Sequence, residues 1–230
     1  MLDYNLKQLI DAARHLRPLL NELVFVGGSV TGLLITDEAA GAPRTTFDVD
    51  AIAEITSYAQ YAEFGERLRA LGFAEDTSIG APICRWVHQR TILDLMPLDE
   101  NILGFSNCWY RAALEAPVAE QLSNDLWIRI VSAPLFIATK LEALKGRGKE
   151  NLPASHDLED LISVVDGRST ITEEVQATAP EVRAYIRAEI TALLSTPAFI
   201  DAMPGFLLPD AISQSRIGGL LRRLNALTVR

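Results

Sequence analysis

Two stretches in the N-terminal half contain residue types that bind phosphate and metal ions. An apolar run ends in Gly27, Gly28 and Ser29, where glycines let backbone N–H groups approach a phosphate and a following helix adds its positive end. A second apolar stretch carries Asp48 and Asp50 at alternate positions. Mg²⁺ prefers one or two carboxylates together with substrate phosphates and water. The two stretches together predict a site for a metal-bound nucleotide.

Each stretch alone has a simpler interpretation. A Gly-Gly-Ser triplet is also a tight turn between a strand and a helix. A lone pair of acids at alternate positions is more often a solvated strand face. However, aspartate is disfavoured in strands, and alternate strand residues share a face, with Cα atoms roughly 6–7 Å apart. Asp48 and Asp50 therefore favour a metal site.

Asp94 is a third acid within an otherwise apolar strand, residues 92–96. A buried carboxylate without a partner is costly, so this position needs an explanation. One explanation is a neighbouring arginine, such as Arg85 or Arg90. The other is a general base that accepts the proton of an attacking hydroxyl with the help of a metal ion. Both explanations stay open from the residues alone.

The pattern of apolar residues predicts the elements that position these side chains. We expect strands at residues 23–26, 47–52, 82–87, 90–95, 116–122 and 126–131, with a turn near His88 and Gln89 between the third and fourth. We expect helices at residues 5–20, 30–35, 58–71, 135–144, 157–165, 171–177, 180–194 and 210–227. This order predicts an α+β fold: a mixed sheet with flanking helices in a domain of residues 1–132, then a helical domain of residues 133–230.

Composition excludes several classes of protein. The net charge of −9 over 230 residues argues against a tight, sequence-independent grip on long nucleic acids and is compatible with a metal–nucleotide enzyme. No apolar run approaches the ~18 residues of a membrane-spanning helix, and the N-terminus lacks the pattern of a secretory signal. The two cysteines form no CxxC pair, so we do not expect a zinc site. We expect a reduced, cytoplasmic location.

The ordered set of motifs resembles the polymerase-beta-like nucleotidyltransferase superfamily and, within it, the AbiEii-like group, which includes toxin components of toxin-antitoxin systems. The resemblance is carried by Gly27-Gly28-Ser29, by Arg44-x-Thr46-x-Asp48-Val49-Asp50, by Asp94 and by a helical second half. It covers the N-terminal half well and the C-terminal half loosely. The 18 residues between Ser29 and Asp48 exceed the usual gap in the superfamily. The loop at residues 36–44 is therefore interpreted as an insertion near the site, which leaves the substrate preference open.

The resemblance implies a role for each motif residue. Nucleotide binding is implied for Gly27, Gly28, Ser29, Arg44 and Thr46, with the triphosphate on Gly28 and Ser29. Asp48 and Asp50 would bind two Mg²⁺ ions, and Asp94 would complete the metal site and activate the acceptor.

The helical half contributes further candidates for nucleotide binding. Lys140 lies where the family often has a lysine that reaches the phosphates, and the alternative is a solvated surface lysine. Asp157 and Asp160 share a helix face at a spacing of three residues, where they can orient Lys140 or Arg147. The basic residues from Lys140 to Lys149 form a candidate anion-binding patch, although such a cluster is more often a solvated loop.

These observations predict a metal-dependent nucleotidyltransferase with an NTP, such as ATP, as donor. It would move an NMP to an acceptor that the sequence does not identify: RNA such as tRNA, a protein or a small molecule. Its expected cofactor is Mg²⁺, with two ions. One alternative is a catalytically silent relative that binds a nucleotide or a partner. Another is a toxin that an antitoxin protein holds inactive.

Overall fold

A computed structural model of the chain describes residues 3–147 and 152–229. The helices are α1 (Tyr4–His15), α2 (Thr31–Leu34), α3 (Tyr58–Ala70), α4 (Glu100–Leu103), α5 (Tyr110–Glu115), α6 (Ala133–Arg147), α7 (His156–Gly167), α8 (Ile171–Ala177), α9 (Pro180–Leu194), α10 (Pro197–Ala202), α11 (Ala211–Ser215) and α12 (Ile217–Ala226). The strands are β1 (Leu23–Val26), β2 (Val49–Ala53), β3 (Ala74–Glu75), β4 (Arg85–His88), β5 (Thr91–Met96), β6 (Val118–Ser123) and β7 (Leu126–Ile130). Within the described ranges, every helix is too short or too polar to cross a membrane.

The chain divides into two compact units. Met1–Val30 and Thr45–Ser132 form the sheet unit, whereas Thr31–Arg44 and Ala133–Arg230 form the helical unit. The segment of residues 31–44 thus contacts mainly the C-terminal half, although it lies between two stretches of the sheet unit in the sequence.

The sheet unit is built on a mixed sheet whose described strands run in the order β3-β4-β5-β2-β1-β7-β6. β1 is antiparallel to β2 and parallel to β7, and β2 is parallel to β5. All four residues of β1 are buried, which explains why this central strand is an uninterrupted apolar run. The mixed sheet, its flanking helices and the C-terminal helices confirm the predicted α+β fold class.

Helix α1 packs on this sheet because its apolar residues recur at helical spacing. It contacts β2, β5 and β7. The fully buried residues of this segment are Leu9, Ala12, Ala13 and Leu16. The helix predicted for residues 5–20 ends at His15, and the chain continues as a 3₁₀ turn with Pro18 in its first turn. Proline lacks a backbone N–H, and the first turn of a helix does not need one.

The hairpin of β4 and β5 has a turn made of Gln89 and Arg90, with Gln89 at a left-handed φ of 55°. The turn predicted one residue earlier is therefore wrong. In a two-residue hairpin, shifting the turn by one residue moves every cross-strand partner by two. Arg85 consequently lies opposite Asp94, whereas the predicted turn would have placed it opposite Ile92.

In the helical unit, α6 packs against α7 and α9, and α12 packs against α7. Its core contains the fully buried side chains Phe136, Ile162, Ile186 and Leu220. The carbonyl oxygen of Gly167, at the end of α7, accepts hydrogen bonds from the backbone N–H groups of Thr36 and Asp37 at 2.8 and 2.9 Å. The start of the loop at residues 36–44 is thereby held by the end of α7.

Two further differences from the expected elements concern the C-terminal helix and the shortest segments. The single helix predicted for residues 210–227 is divided at Arg216 into α11 and α12. The guanidinium of Arg216 binds Asp37 and Asp166, partners far away in the sequence. The short elements β3, α4, α5 and α10 have two to six residues each. They were not predicted because such short segments show no clear periodicity.

Candidate active site

A row of register partners crosses four adjacent strands of the sheet unit. Val26 on β1 pairs with Asp50 on β2, Asp50 pairs with Asp94 on β5, and Asp94 pairs with Arg85 on β4. Register partners point to the same face, and neighbouring strands lie ~4.8 Å apart. The side chains of Asp50, Asp94 and Arg85 therefore stand next to one another, and Gly27 directly follows the first member of the row. We call Asp50, Asp94, Arg85 and the adjacent Asp48 the acidic row.

Gly27 joins the glycine turn to the acidic row. Its φ is 72°, a backbone angle that residues with a Cβ rarely adopt. A Cβ at this position would lie 1.9 Å from Oδ2 of Asp50 and 2.7 Å from its Cγ. Only glycine fits here, because the carboxylate of Asp50 lies directly against the turn. The structure thus brings together the two stretches whose residue types predicted a metal–nucleotide site.

Asp94 and Arg85 form a bidentate ion pair. Nε of Arg85 donates to Oδ1 of Asp94, and Nη2 donates to Oδ2, both at 2.8 Å. Nη2 also donates to Oδ2 of Asp48 at 2.8 Å. The side chain of Asp94 is 7% exposed and that of Arg85 20% exposed. Arg85 and Arg90 were both considered as partners of this acid. Arg85 is the partner in the structure, whereas Arg90 lies in the hairpin turn.

Asp48 is oriented by Thr46. Oγ1 of Thr46 donates to Oδ1 of Asp48 at 2.8 Å. The backbone N–H of Thr46 donates in turn to the side chain of Asn5 at 3.0 Å. Thr46 was predicted to bind nucleotide, and its observed contact is with the acid. Asn5 was missed, and its signal in the sequence is a polar residue one turn before Leu9 on the buried stripe of α1.

The three acids differ in their exposure and in how Arg85 engages them. Asp48 and Asp50 are partly exposed and supply the carboxylate oxygens that Mg²⁺ prefers. Arg85 engages both oxygens of Asp94, which is buried. It engages one oxygen of Asp48, whose other oxygen accepts from Thr46. Across residues 3–147 and 152–229, no group of three or more His, Cys, Asp or Glu side chains is arranged to hold a metal ion. The structure therefore contains two candidate ligands beside an arginine–aspartate pair.

Two ionisable groups within or next to the acidic row have raised pKa values. Burial raises the pKa of the nearby Cys84 thiol to about 12, and the charges of Asp94 and Asp50 act in the same direction. Arg85 opposes them with a smaller effect on that pKa. The pKa of Arg85 is itself raised, chiefly by its hydrogen bond to Asp94. Asp94 therefore influences both neighbouring groups, one through its charge and the other through a hydrogen bond.

Gly28 and Ser29 lie in a short 3₁₀ turn and are buried. The hydroxyl of Ser29 donates to the carbonyl oxygen of Val26 at 3.4 Å, so it does not cap the following helix as expected. That helix, α2, has only four residues, so its dipole is small. A role of Gly28 and Ser29 in nucleotide binding stays a prediction that depends on their backbone N–H groups.

The remaining predicted nucleotide-binding residues belong to the helical unit, where they form an ion-pair network. Arg44 donates to both oxygens of Asp160 at 2.9 and 3.1 Å. Nζ of Lys140 donates to the same carboxylate at 2.6 Å and to Asp157 at 3.2 Å. Lys140 is buried, so its interpretation as a solvated lysine is wrong. Lys149, at the end of the predicted basic patch, lies outside the described residues.

The comparisons with known proteins concern the fold. No protein-family model matches the chain, and no curated protein sequence matches it. Among solved structures, it is similar to an antigenic nucleotidyltransferase-like protein from Paracoccidioides brasiliensis, with 18% sequence identity and a TM-score of 0.50. The match covers 86% of this chain and 91% of the other. The chain has a nucleotidyltransferase-like fold.

Within this nucleotidyltransferase-like fold, the sheet unit places the predicted motif residues of its strands side by side. It brings together Gly27, Asp48, Asp50 and Asp94, with Thr46 behind them. The chemistry available to such a set is cation binding by carboxylates, with a bare backbone turn against one of them.

Proposed function

We propose that this protein is a metal-dependent nucleotidyltransferase that moves an NMP from an NTP to a hydroxyl acceptor. The observation that carries the proposal is the contact of the Asp50 carboxylate with the Gly27 turn, with Asp48 beside it. This contact occurs in a chain with a nucleotidyltransferase-like fold. Membership of the AbiEii-like group is part of the proposal, and it rests on the sequence motifs.

The residues of the sheet unit have distinct roles in this proposal. Asp48 and Asp50 hold Mg²⁺, which neutralises the charge of the leaving pyrophosphate and activates the attacking oxygen when it is bound. Thr46 fixes the rotamer of Asp48 through its hydroxyl. Gly27 leaves room for the Asp50 carboxylate, and its lack of a side chain exposes the backbone of the turn to a phosphate.

The test is transfer of label from α-³²P-labelled NTPs to total RNA or total protein in the presence of Mg²⁺. We expect labelling by the wild type and a loss of at least ~100-fold in Asp48→Asn and Asp50→Asn. Glu54→Gln is the matched control, because Glu54 directly follows β2 at the other end of the strand and is exposed. Its activity should stay within about twofold of the wild type, since surface substitutions away from a site have small effects.

An absence of label from every NTP, when a known nucleotidyltransferase labels the same extracts, would count against the proposal. So would equal activity of Asp48→Asn and Glu54→Gln. If label appears, fractionation of the labelled product identifies the acceptor as RNA, protein or a small molecule such as an aminoglycoside.

A second candidate function is a catalytically silent relative that binds nucleotide or a partner protein. The observation that favours it is the pairing of both Asp94 oxygens with Arg85; in this candidate, the pair would keep the predicted general base from accepting a proton. Calorimetry separates the two candidates: a silent relative binds an NTP with Mg²⁺ and leaves it intact after prolonged incubation.

The proposal includes a biological role: nucleotidyl transfer by this protein would make it a toxin. Controlled expression of the wild type should arrest growth, and expression of Asp48→Asn should not. An antitoxin would be recognised as the product of a small adjacent reading frame that relieves the arrest. Arrest by both proteins alike would contradict a toxin that acts by nucleotidyl transfer.

A further inference from the structure

Arg85 already places one positive charge among the carboxylates of the acidic row. Its guanidinium donates to Asp94 twice and to Asp48 once, each time at 2.8 Å. Bidentate, charge-assisted hydrogen bonds are among the strongest in proteins. The pair is largely shielded from water, and removing one partner of such a pair is strongly destabilising. A metal ion that takes Asp94 as a ligand must therefore displace a guanidinium that the strand register holds in place.

The formal charges of the row indicate how many cations it accepts. Asp48, Asp50 and Asp94 carry three negative charges and Arg85 carries one positive charge, which leaves −2. One divalent cation balances this charge, whereas two exceed it unless a triphosphate arrives as well.

We infer that Asp94 binds Arg85 instead of a metal ion, and that the nucleotide-free protein binds a single divalent cation through Asp48 and Asp50. Arg85 is a positioning residue: it occupies Asp94, braces Asp48, and keeps a second cation out until a nucleotide supplies negative charge. This inference deepens the proposed function and rests on it. It replaces the expected set of three carboxylates and two ions by two carboxylates and one ion.

The experiment is a titration of the full chain with Mn²⁺ in the absence of nucleotide. Free Mn²⁺ is followed by electron paramagnetic resonance, and calorimetry gives the stoichiometry. The decisive variant is the double substitution Arg85→Gln/Asp94→Asn, which removes both partners of the ion pair and keeps the sum of −2. The comparison variant is Asp50→Asn, which removes a carboxylate from the same row. Circular dichroism and thermal unfolding show that each variant is folded.

We expect one Mn²⁺ per wild-type chain. The double variant should also bind one, with a Kd within about threefold of the wild type, while Asp50→Asn weakens binding at least ~10-fold. The single variant Arg85→Gln, where it folds, should bind Mn²⁺ at least ~10-fold more tightly, because Asp94 is then left without its cation. Arg90→Gln, which removes a charge from the turn of the same hairpin, should change the Kd less than about threefold.

Three results would overturn the inference. The first is two Mn²⁺ ions per wild-type chain, and the second is none. The third is a double variant that loses Mn²⁺ as Asp50→Asn does, since Asp94 would then be a ligand. The titration contains no NTP, so a protein that binds one Mn²⁺ but transfers no nucleotide contradicts the proposed function and leaves the role of Arg85 standing.

Discussion

Replacing Gly27 with alanine tests the contact between the glycine turn and the acidic row. A φ of 72° costs a residue with a Cβ ~1–2 kcal/mol. The new Cβ would also lie 1.9 Å from Oδ2 of Asp50, far inside van der Waals contact, so the carboxylate has to rotate away. Overpacking of this kind costs ~1–3 kcal/mol. We expect the free energy of unfolding to fall by about 2–5 kcal/mol, the sum of the two contributions.

Gly104→Ala is the matched control, because it separates backbone strain from the clash. Gly104 has a φ of 80°, and a Cβ there would meet no atom within 4 Å. It should therefore lose only the ~1–2 kcal/mol of strain. Urea denaturation followed by circular dichroism gives both values. In the double variant Gly27→Ala/Asp50→Ala, the clashing oxygen and Cγ are gone, and we expect a favourable coupling of at least ~1 kcal/mol.

Equal destabilisation by Gly27→Ala and Gly104→Ala would refute this reasoning, since it would mean that the Asp50 carboxylate does not lie against the turn. An absence of coupling in the double variant would refute it as well. If Gly27→Ala folds, its nucleotide transfer should be lost, because the displaced Asp50 no longer lies beside Asp48.

Other predictions concern buried ionisable groups. Lys140→Met should lower the free energy of unfolding by ~3 kcal/mol, because it leaves two buried carboxylates short of a cation. Lys145→Met, at a side chain that is 55% exposed, should cost less than ~0.5 kcal/mol. Equal losses of stability in urea denaturation would contradict the ion-pair network. A maleimide at pH 7.5 should modify the exposed Cys108 in the native protein and spare Cys84, which is buried, and mass spectrometry locates the adduct. The pKa of Cys84 is raised from 9.0 to about 12 in the folded state, so its contribution to stability is complete below pH 9 and is lost as the pH rises towards 12. Unfolding of Cys84→Ala should therefore depend less on pH in that range, and an unchanged dependence would contradict the assignment.

Local signals in the sequence predicted the regular elements well. Helix α3 was expected at residues 58–71 and spans Tyr58–Ala70, where Ser57 caps its N-terminus by accepting from the N–H of Gln60. The buried strand before Gly27 was predicted correctly because an apolar run followed by glycines is a local pattern, which does not depend on distant residues. The adjacency of Gly27 to the acids was also expected, since the residue types of both stretches indicated one chemistry.

Contacts between distant residues could not be predicted in the same way. Arg44 and Asp160 are separated by 116 positions, and no local pattern relates them. The segment of residues 31–44 was assigned to the N-terminal domain by its place in the sequence, and its backbone contacts are with the end of α7. The hairpin register depended on a turn at Gln89, a residue that rarely adopts a positive φ.

The sequence by itself determined which chemistry is available: carboxylates at alternate positions, a glycine turn and an acid within an apolar strand. These are properties of residue type and period, which side-chain chemistry and strand geometry impose locally. Only the tertiary structure decided which groups each acid contacts. The register of β4 against β5 assigns Arg85 to Asp94, and the pairing of β1 with β2 assigns Asp50 to the turn. Pairing between strands is set by the packing of the whole sheet, and it therefore decides which acid lies opposite an arginine and which lies against the glycine turn.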